Sequence, residues 1–205
     1  IVMEIFRSVT DRVEQLSVDE AFVDVSGAIR RCGPPVEIAR RLRRTIHDRT
    51  GLTASVGVAE NKTVAKIASA HCKPDGLLVV APEHTRAFLA HLPVERLWGV
   101  GRRTSETLHA AGLATVGDIA DTPLPRLHAL VGVAAGSHLQ QLALGLGLDG
   151  AEQADFLHAW AAPDEPDLRR LLATDAPEAE RIDALTRAHL GSHRTIHLMT
   201  STHVD

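Results

Sequence analysis

The sequence predicts an α/β (α+β) layer with a mixed or antiparallel sheet, followed by a small all-α segment built around a helix-hairpin-helix. Three observations carry this. Short runs rich in β-branched residues at 22–25, 52–59 and 77–80 alternate with stretches of helical period. Such alternation gives one sheet with helices packed on it. From Arg86 to about Gly145 the strand signal stops, and glycines punctuate short helical stretches.

The elements follow in order. Ile5, Val9 and Val13, spaced by four, predict a helix over 3–13. The first strand runs to Val25 and is ended by Ser26-Gly27. Pro34-Pro35 opens a helix whose buried stripe is Ile38, Ala39, Leu42 and Ile46. Arg40, Arg41, Arg43 and Arg44 fall largely on its outer side, as a solvated face or a polyanion contact. Gly51 stops that helix, and a strand follows over 52–59. Asn61 is placed as an N-cap for a helix to about Ala70, on which Lys62 and Lys66 share a face. Lys73-Pro74-Asp75-Gly76 is a turn by composition, leading into the strand at 77–80.

Bulk properties narrow the function classes. At 205 residues the chain suits one large domain or two small ones, and 44% hydrophobic content is that of a globular protein. With 3% aromatics and no Tyr, the core must be built from Ala, Val, Leu and Ile. Only Cys32 and Cys72 are present, so no disulfide framework is indicated and a reducing, cytoplasmic setting is expected. No charge-free run is long enough to cross a bilayer, so no membrane partner is expected. Residues 1–127 carry 17 Lys and Arg against 15 Asp and Glu, whereas residues 128–205 carry 5 against 11. A mildly basic front is compatible with a polyanion; the acidic rear is not its natural continuation. An opening on Ile1, within what reads as the end of a helix, leads us to expect a piece of a longer protein.

Two stretches carry chemistry. In Ser17-Val18-Asp19-Glu20-Ala21-Phe22, two adjacent carboxylates head a strand. Like charges placed together repel, and a divalent cation removes that cost. Hard oxygen ligands suit Mg²⁺. Taken alone, the pair is more simply a solvated turn. In the second stretch, Gly99-Val100-Gly101 sits between helical segments and is followed by Arg102 and Arg103. Glycines let a phosphate approach the backbone, and the helix start beyond them offers free N–H groups. The alternative is a plain interhelical turn. The 130–142 stretch looks like a weaker second copy.

These motifs, in this order, resemble those of the Y-family, lesion-bypass DNA polymerases. The residues concerned are Ser17 to Phe22, Ser55-Val56-Gly57-Val58-Ala59, Asn61-Lys62, Ala65-Lys66-Ile67-Ala68-Ser69, Lys73-Pro74-Asp75-Gly76, Gly99-Val100-Gly101 and Thr115-Val116-Gly117-Asp118. The resemblance implies a partial catalytic palm over 1–82 and a helix-hairpin-helix thumb over 83–146. Asp19 and Glu20 match the family's acidic pair, which helps to hold two Mg²⁺ ions at the primer end. Lys73 matches the lysine that contacts the triphosphate of the incoming nucleotide. Gly99, Val100, Gly101, Arg102 and Arg103 match the hairpin that grips duplex phosphates, and Lys62 and Lys66 match less specialised positions, as helix-surface or backbone-contact residues. The implied activity is template-directed DNA synthesis past lesions. The implied partners are primer-template DNA, a deoxynucleoside triphosphate and, as a further candidate, a sliding clamp, with the polymerase a monomer.

Three departures qualify the resemblance. The family's upstream carboxylate, fingers and steric gate would precede Ile1, so the first metal ligand is missing from this chain. Ala70-His71-Cys72 stands where many relatives have an acid. Residues 147–205 are acidic, Ala-rich and unlike the family's little finger, so a shifted reading frame or a disordered tail is expected there. Within that tail, Leu168, Leu171 and Leu172 could share one helix side. His189, His193 and His197 have helical metal-ligand spacing but no acidic partner. The expectation is therefore a polymerase segment that is inactive alone. The other readings are a non-catalytic DNA-binding scaffold of the damage response and a cyclase-like palm, which would have no use for a duplex grip.

Overall fold

The computed structural model describes residues 1–147 and 197–203. The chain divides into two compact units, one of Ile1–Pro82 with Asp167–Asp205 and the other of Glu83–Pro166. The first opens with helix α1, Val2–Arg7. The helix expected over 3–13 is therefore shorter. Val13–Gln15 is instead strand β1, with Val13 opposite Val23 of strand β2, Glu20–Asp24. Spacing of four placed Val13 on a helix face, but pairing with β2 decides its state. A short 3-10 turn at Ser26–Ala28 and helix α2, Ile29–Cys32, lead to α3, Pro35–Thr50. Gly51 ends α3 at φ +73°, a left-handed conformation that glycine adopts without Cβ strain.

Strand β3 is Thr53–Ala59, helix α4 is Lys62–His71 and strand β4 is Leu77–Val79. The Asn61 side chain caps α4 by accepting from the Val64 N–H at 3.0 Å. A fifth strand, β5, is His197–His203. The sheet order is β1-β2-β5-β3-β4. β5 runs antiparallel to both β2 and β3, and β3 and β4 are parallel, so the sheet is mixed. It follows that β2, β3 and β4 all begin at the same sheet edge.

The sequence pattern shows no strand after Leu146. Residues 197–203 carry no Lys, Arg, Asp or Glu and only a short β-branched signal. Their extended state comes from a partner on each side, which no local pattern records. The helical spacing that groups His189, His193 and His197 is corrected at its last member, since His197 starts a strand. Leu168, Leu171, Leu172, His189 and His193 lie outside the described residues.

Alternation along the strands sorts the two sheet faces. Ala21 and Val23 of β2 and Ala54, Val56 and Val58 of β3 face a core shared with Ile5, Phe6, Ile38, Leu42 and Ile46 of α1 and α3. The opposite face carries Gly57, against which α4 lies. A Cβ on Gly57 would sit 2.0 Å from the Ala65 carbonyl oxygen and 2.5 Å from the Ser69 nitrogen.

The second unit is built of short helices, with an isolated antiparallel bridge between Pro93 and Thr115. Helix α5, Pro82–Ala90, and a 3-10 turn at Val94–Arg96 precede α6, Arg102–Ala110. Three further helices follow: α7, Val116–Asp121; α8, Leu124–Val131; and α9, Val133–Ala143. Leu89, Leu92, Leu97, Leu108, Ile119, Leu127 and Leu139 are its largest fully buried side chains. Among the described residues no helix is long and apolar enough to cross a membrane.

Because backbone, not a flexible side chain, fills the space above Gly57, Gly57→Ala is expected to destabilise the first unit by about 3 kcal/mol. Urea unfolding of the full chain checks this; an unchanged midpoint would contradict the close α4–β3 contact.

Candidate functional site

The two acids sit on the tip and exit of the β1–β2 hairpin. The N–H groups of Leu16 and Ser17 donate to the Glu20 carbonyl at 2.9 and 3.3 Å, closing the turn. Asp19 is exposed in that turn, where the Ser17 hydroxyl donates to its Oδ1 at 2.6 Å. Glu20 is the first residue of β2 and partly buried. Adjacent strand residues point to opposite faces, but a turn residue beside a strand residue escapes that rule.

Helix α4 runs in step with β2. Lys62 Nζ lies 5.6 Å from the centre of the Phe22 ring and is paired with Glu14, directly across from Phe22 on β1. One helical turn on, Lys66 Nζ is 2.7 Å from Glu20 Oε2. Four helical residues rise about 6 Å and two strand residues about 6.6 Å, so the two lysines meet successive acids on one sheet face. Both lysines were expected as helix-surface or backbone-contact residues. Instead Lys66 is only 12% exposed and holds Glu20, itself 24% exposed.

Beyond α4 comes the turn bearing Lys73. Asp75 there has φ +48°, and a Cβ on Gly76 would sit 1.9 Å from the Cys72 carbonyl oxygen, so glycine is required. Arg43 of α3 clamps this turn. Its Nε donates to the Ala54 carbonyl at 2.9 Å, and its Nη2 donates to Asp75 Oδ1 at 2.9 Å and to the Asp75 carbonyl. Sequence reasoning grouped Arg43 with the outer arginines; the structure corrects this, since its side chain is 22% exposed and turned onto β3. Arg40 stays on the outer face, paired with Glu37.

The register aligns these parts. Glu20 pairs with Ser201, Ser201 with Ser55, and the Val56 N–H bonds the Gly76 carbonyl at 2.9 Å. The acid-bearing end of β2 and the Lys73 turn before β4 therefore lie at one sheet edge. Three strand spacings separate β2 from β4, about 14 Å. Among the described residues no group of three His, Cys, Asp or Glu side chains could hold a metal ion. Asp19 and Glu20 supply hard oxygen donors of the right type for Mg²⁺, as a pair rather than a set, and one of them already answers to Lys66.

In the second unit, Gly99 has φ +86°, which turns the chain sharply before α6. Gly101 is the N-cap of α6 with no side-chain cap, and open space surrounds the position of a Cβ there. Arg102 is 91% exposed and paired with Glu106 at 2.9 Å, and Arg103 is exposed beside it. An uncapped helix start facing open space with two arginines is suited to a phosphate. The loop is braced from behind by Glu95, which accepts from the Ser105 hydroxyl and meets His109 Nε2 at 2.8 Å. Partial burial opposes the charge of Glu95. Hydrogen bonds from Ser105, its own backbone and His109 outweigh that and hold its carboxyl below the usual range. Contacts ten and fourteen residues apart leave no local signature, and sequence reasoning missed this brace.

Thr115 and Asp118 form a reciprocal capping box at the start of α7, with the Thr115 N–H donating to Asp118 Oδ2 at 2.8 Å. The backbone bond from Thr115, its side-chain bond and that from Ala114 lower the Asp118 pKa. The weaker second copy also has its hairpin, with Gly132 at φ +91° between α8 and α9.

The acid-headed strand, the lysine turn and the glycine hairpin lie in a chain whose fold resembles that of Y-family DNA polymerases. Residues 1–70 match the model of the impB/mucB/samB family, and residues 82–113 match that family's HHH motif. Over these segments the chain is similar to that family. The relatives it resembles are DNA polymerases IV. The enzyme of Treponema denticola is 44% identical over 144 residues, covering 70% of this chain and 36% of the relative. That of Methanoculleus marisnigri is 43% identical over 154 residues, covering 74% and 41%. The crystal structure of DinB from Sulfolobus solfataricus superposes with a TM-score of 0.63 at 31% identity, over 70% of this chain and 42% of that one. The insertion ternary complex of Dbh DNA polymerase gives a TM-score of 0.64 at 30% identity, over 71% and 42%. The chain thus spans about two fifths of the length of the relatives it matches.

Arg43→Ala is expected to speed amide exchange at residues 75–77 by tenfold or more, since a charged hydrogen-bonding group of this kind contributes about 1.5–3 kcal/mol. Arg43→Lys should not restore protection, because an ammonium cannot reproduce the forked contact. Hydrogen exchange of the full chain checks both; unchanged exchange in Arg43→Ala would contradict the clamp.

Proposed function

We propose that this chain supplies the acid pair, triphosphate lysine and duplex grip of a translesion DNA polymerase, acting on primer-template DNA and a deoxynucleoside triphosphate. The observation that carries the proposal is the common sheet edge shared by Asp19, Glu20 and the Lys73 turn. Asp19 and Glu20 would hold divalent cations, Mg²⁺ by donor type. When bound, such ions supply the Lewis acidity that activates a primer 3′-hydroxyl and stabilises a leaving pyrophosphate.

The protein's own residues bind and orient. Lys66 neutralises Glu20 and keeps its carboxylate on the α4 face. Lys73 meets the triphosphate as a point charge on a turn fixed by Arg43. The Gly99–Gly101 loop and the start of α6, with Arg102 and Arg103, take the duplex backbone without reading bases. Palm, thumb and tail, at 1–82, 83–146 and 147–205, are the functional divisions of this reading. A soluble monomer in the cytoplasm, with a sliding clamp as a further partner, completes it.

A second reading is favoured by one observation. Among the described residues no group of three His, Cys, Asp or Glu side chains could hold a metal ion, and Glu20 is engaged by Lys66. On that ground the chain alone binds DNA without extending it, as a scaffold would. The test is primer extension with Mg²⁺ and all four nucleotides, run beside a binding titration against salt. Expected are salt-sensitive binding, a salt slope reduced by about 1 for each of Arg102→Ala and Arg103→Ala, and no extension by this chain alone. Binding indifferent to both arginines would contradict the grip. Mg²⁺-dependent extension lost on Asp19→Ala would establish the enzyme and refute the scaffold.

A further inference from the structure

Two carboxylates stand close to the glycine hairpin of the second unit, and they are held in different ways. Glu106 is 62% exposed on α6 and pairs with the guanidinium of Arg102, one helical turn away. Glu95 instead closes the base of the hairpin. It lies on the 3-10 turn before the Gly99–Gly101 loop, and its Oε1 takes both the Ser105 hydroxyl and His109 Nε2. Ser105 and His109 are four positions apart, so one face of α6 meets that carboxylate. Ser105 is 8% exposed, and its own N–H makes the first backbone bond of α6, to the Gly101 carbonyl at 2.9 Å. The N–H groups of Arg102, Arg103 and Thr104 precede that bond and stand at the open end of the helix. The turn that carries Glu95 is fixed on its other side. The Val94 N–H donates to the Ala114 carbonyl at 3.1 Å, the Val116 N–H donates to the Leu92 carbonyl at 2.8 Å, and Pro93 bridges to Thr115. Glu95 therefore ties an anchored turn to the residue that begins the hydrogen-bond ladder of α6.

We propose that Glu95 is a positioning residue of the duplex grip, an acid that strengthens binding to a polyanion by setting the angle of the open end of α6 and of the Gly99–Gly101 loop. It acts through Ser105 and His109 rather than on the ligand, and the inference rests on the reading of this hairpin as a phosphate grip. Charge alone argues the other way: a carboxylate beside a phosphate-binding loop repels the ligand, and its removal should tighten binding. Glu106 is an acid of that ordinary kind, because Arg102 must leave it to meet a phosphate. Glu95 directs its charge at two donors behind the loop, so what it contributes is geometry. Backbone N–H groups bind a phosphate only when aimed at it, whereas long arginine side chains follow the ligand. Loss of the brace is therefore felt by the backbone donors and leaves the arginine contacts in place.

The test is a salt titration of duplex DNA binding by the full chain and by Glu95→Ala, Glu95→Gln, Ser105→Ala and Glu106→Ala. Glu95→Ala is expected to bind roughly tenfold more weakly at fixed salt with an unchanged salt slope, since a charged hydrogen-bonding group is lost and no phosphate-pairing cation is. Glu95→Gln keeps an acceptor for both donors and removes the charge, so it should bind at least as tightly as the unmodified chain. Ser105→Ala should weaken binding about threefold and add nothing to Glu95→Ala in the double variant. Glu106→Ala should bind about two- to threefold more tightly. Amide protection in α7 to α9 shows whether each variant keeps the second unit folded. Should Glu95→Ala lose that protection, Ser105→Ala and Glu95→Gln carry the comparison. Tighter binding by Glu95→Ala, or by Ser105→Ala, would overturn the proposal and leave the grip standing. Duplex binding indifferent to salt, to Arg102→Ala and to Arg103→Ala would overturn the reading of the grip itself, and the proposal with it.

Discussion

The approach of α4 to β3 over Gly57 is the contact on which the first unit's site depends. It leaves no room for a side chain, so the helix lies directly on the sheet backbone. That closeness brings Lys62 and Lys66 down to Glu14 and Glu20, because helix rise and strand rise nearly match over this interval. It also delivers the C-terminal end of α4 to the edge where β2, β3 and β4 begin. The Lys73 turn then needs only the Arg43 clamp to be fixed. Were α4 a few ångströms higher, Glu20 would lose its lysine.

The second unit solves a different problem with glycine and caps. Gly99 turns the chain, Gly101 leaves the start of α6 open, and Glu95 ties the preceding 3-10 turn to Ser105 and His109. The exposed surface of the hairpin is thus backed by a braced interior. Asp118 does the same for α7 by taking the Ala114 and Thr115 amides. Backbone donors beside exposed arginines suit a partner recognised by its repeating charge rather than its sequence.

Much of this was legible in the sequence because it is local. The Pro34-Pro35 start and Gly51 stop of α3, the Asn61 cap and the Gly99-Val100-Gly101 turn are each written within a few residues. The motifs of the site were legible for the same reason. What escaped depends on distant partners. Val13 reads as helical by spacing and is a strand through Val23. Arg43 reads as a surface arginine and is a clamp through Asp75, thirty-two positions away. Lys66 reads as a helix-surface or backbone-contact residue and is an ion-pair partner through Glu20. The segment 197–203 has no pattern of its own and becomes a strand between two others. In each case the side chain or backbone answers to tertiary pairing that short-range pattern cannot encode.

Lys66 is the internal cation of the acid site, and a divalent ion would have to compete with it for Glu20. Manganese titration of the full chain, followed by electron paramagnetic resonance, tests that account most directly. It predicts weak binding that is lost in Asp19→Ala and strengthened severalfold in Lys66→Met, where the freed carboxylate lacks its partner. Binding indifferent to Asp19→Ala, or no gain in Lys66→Met, would contradict it.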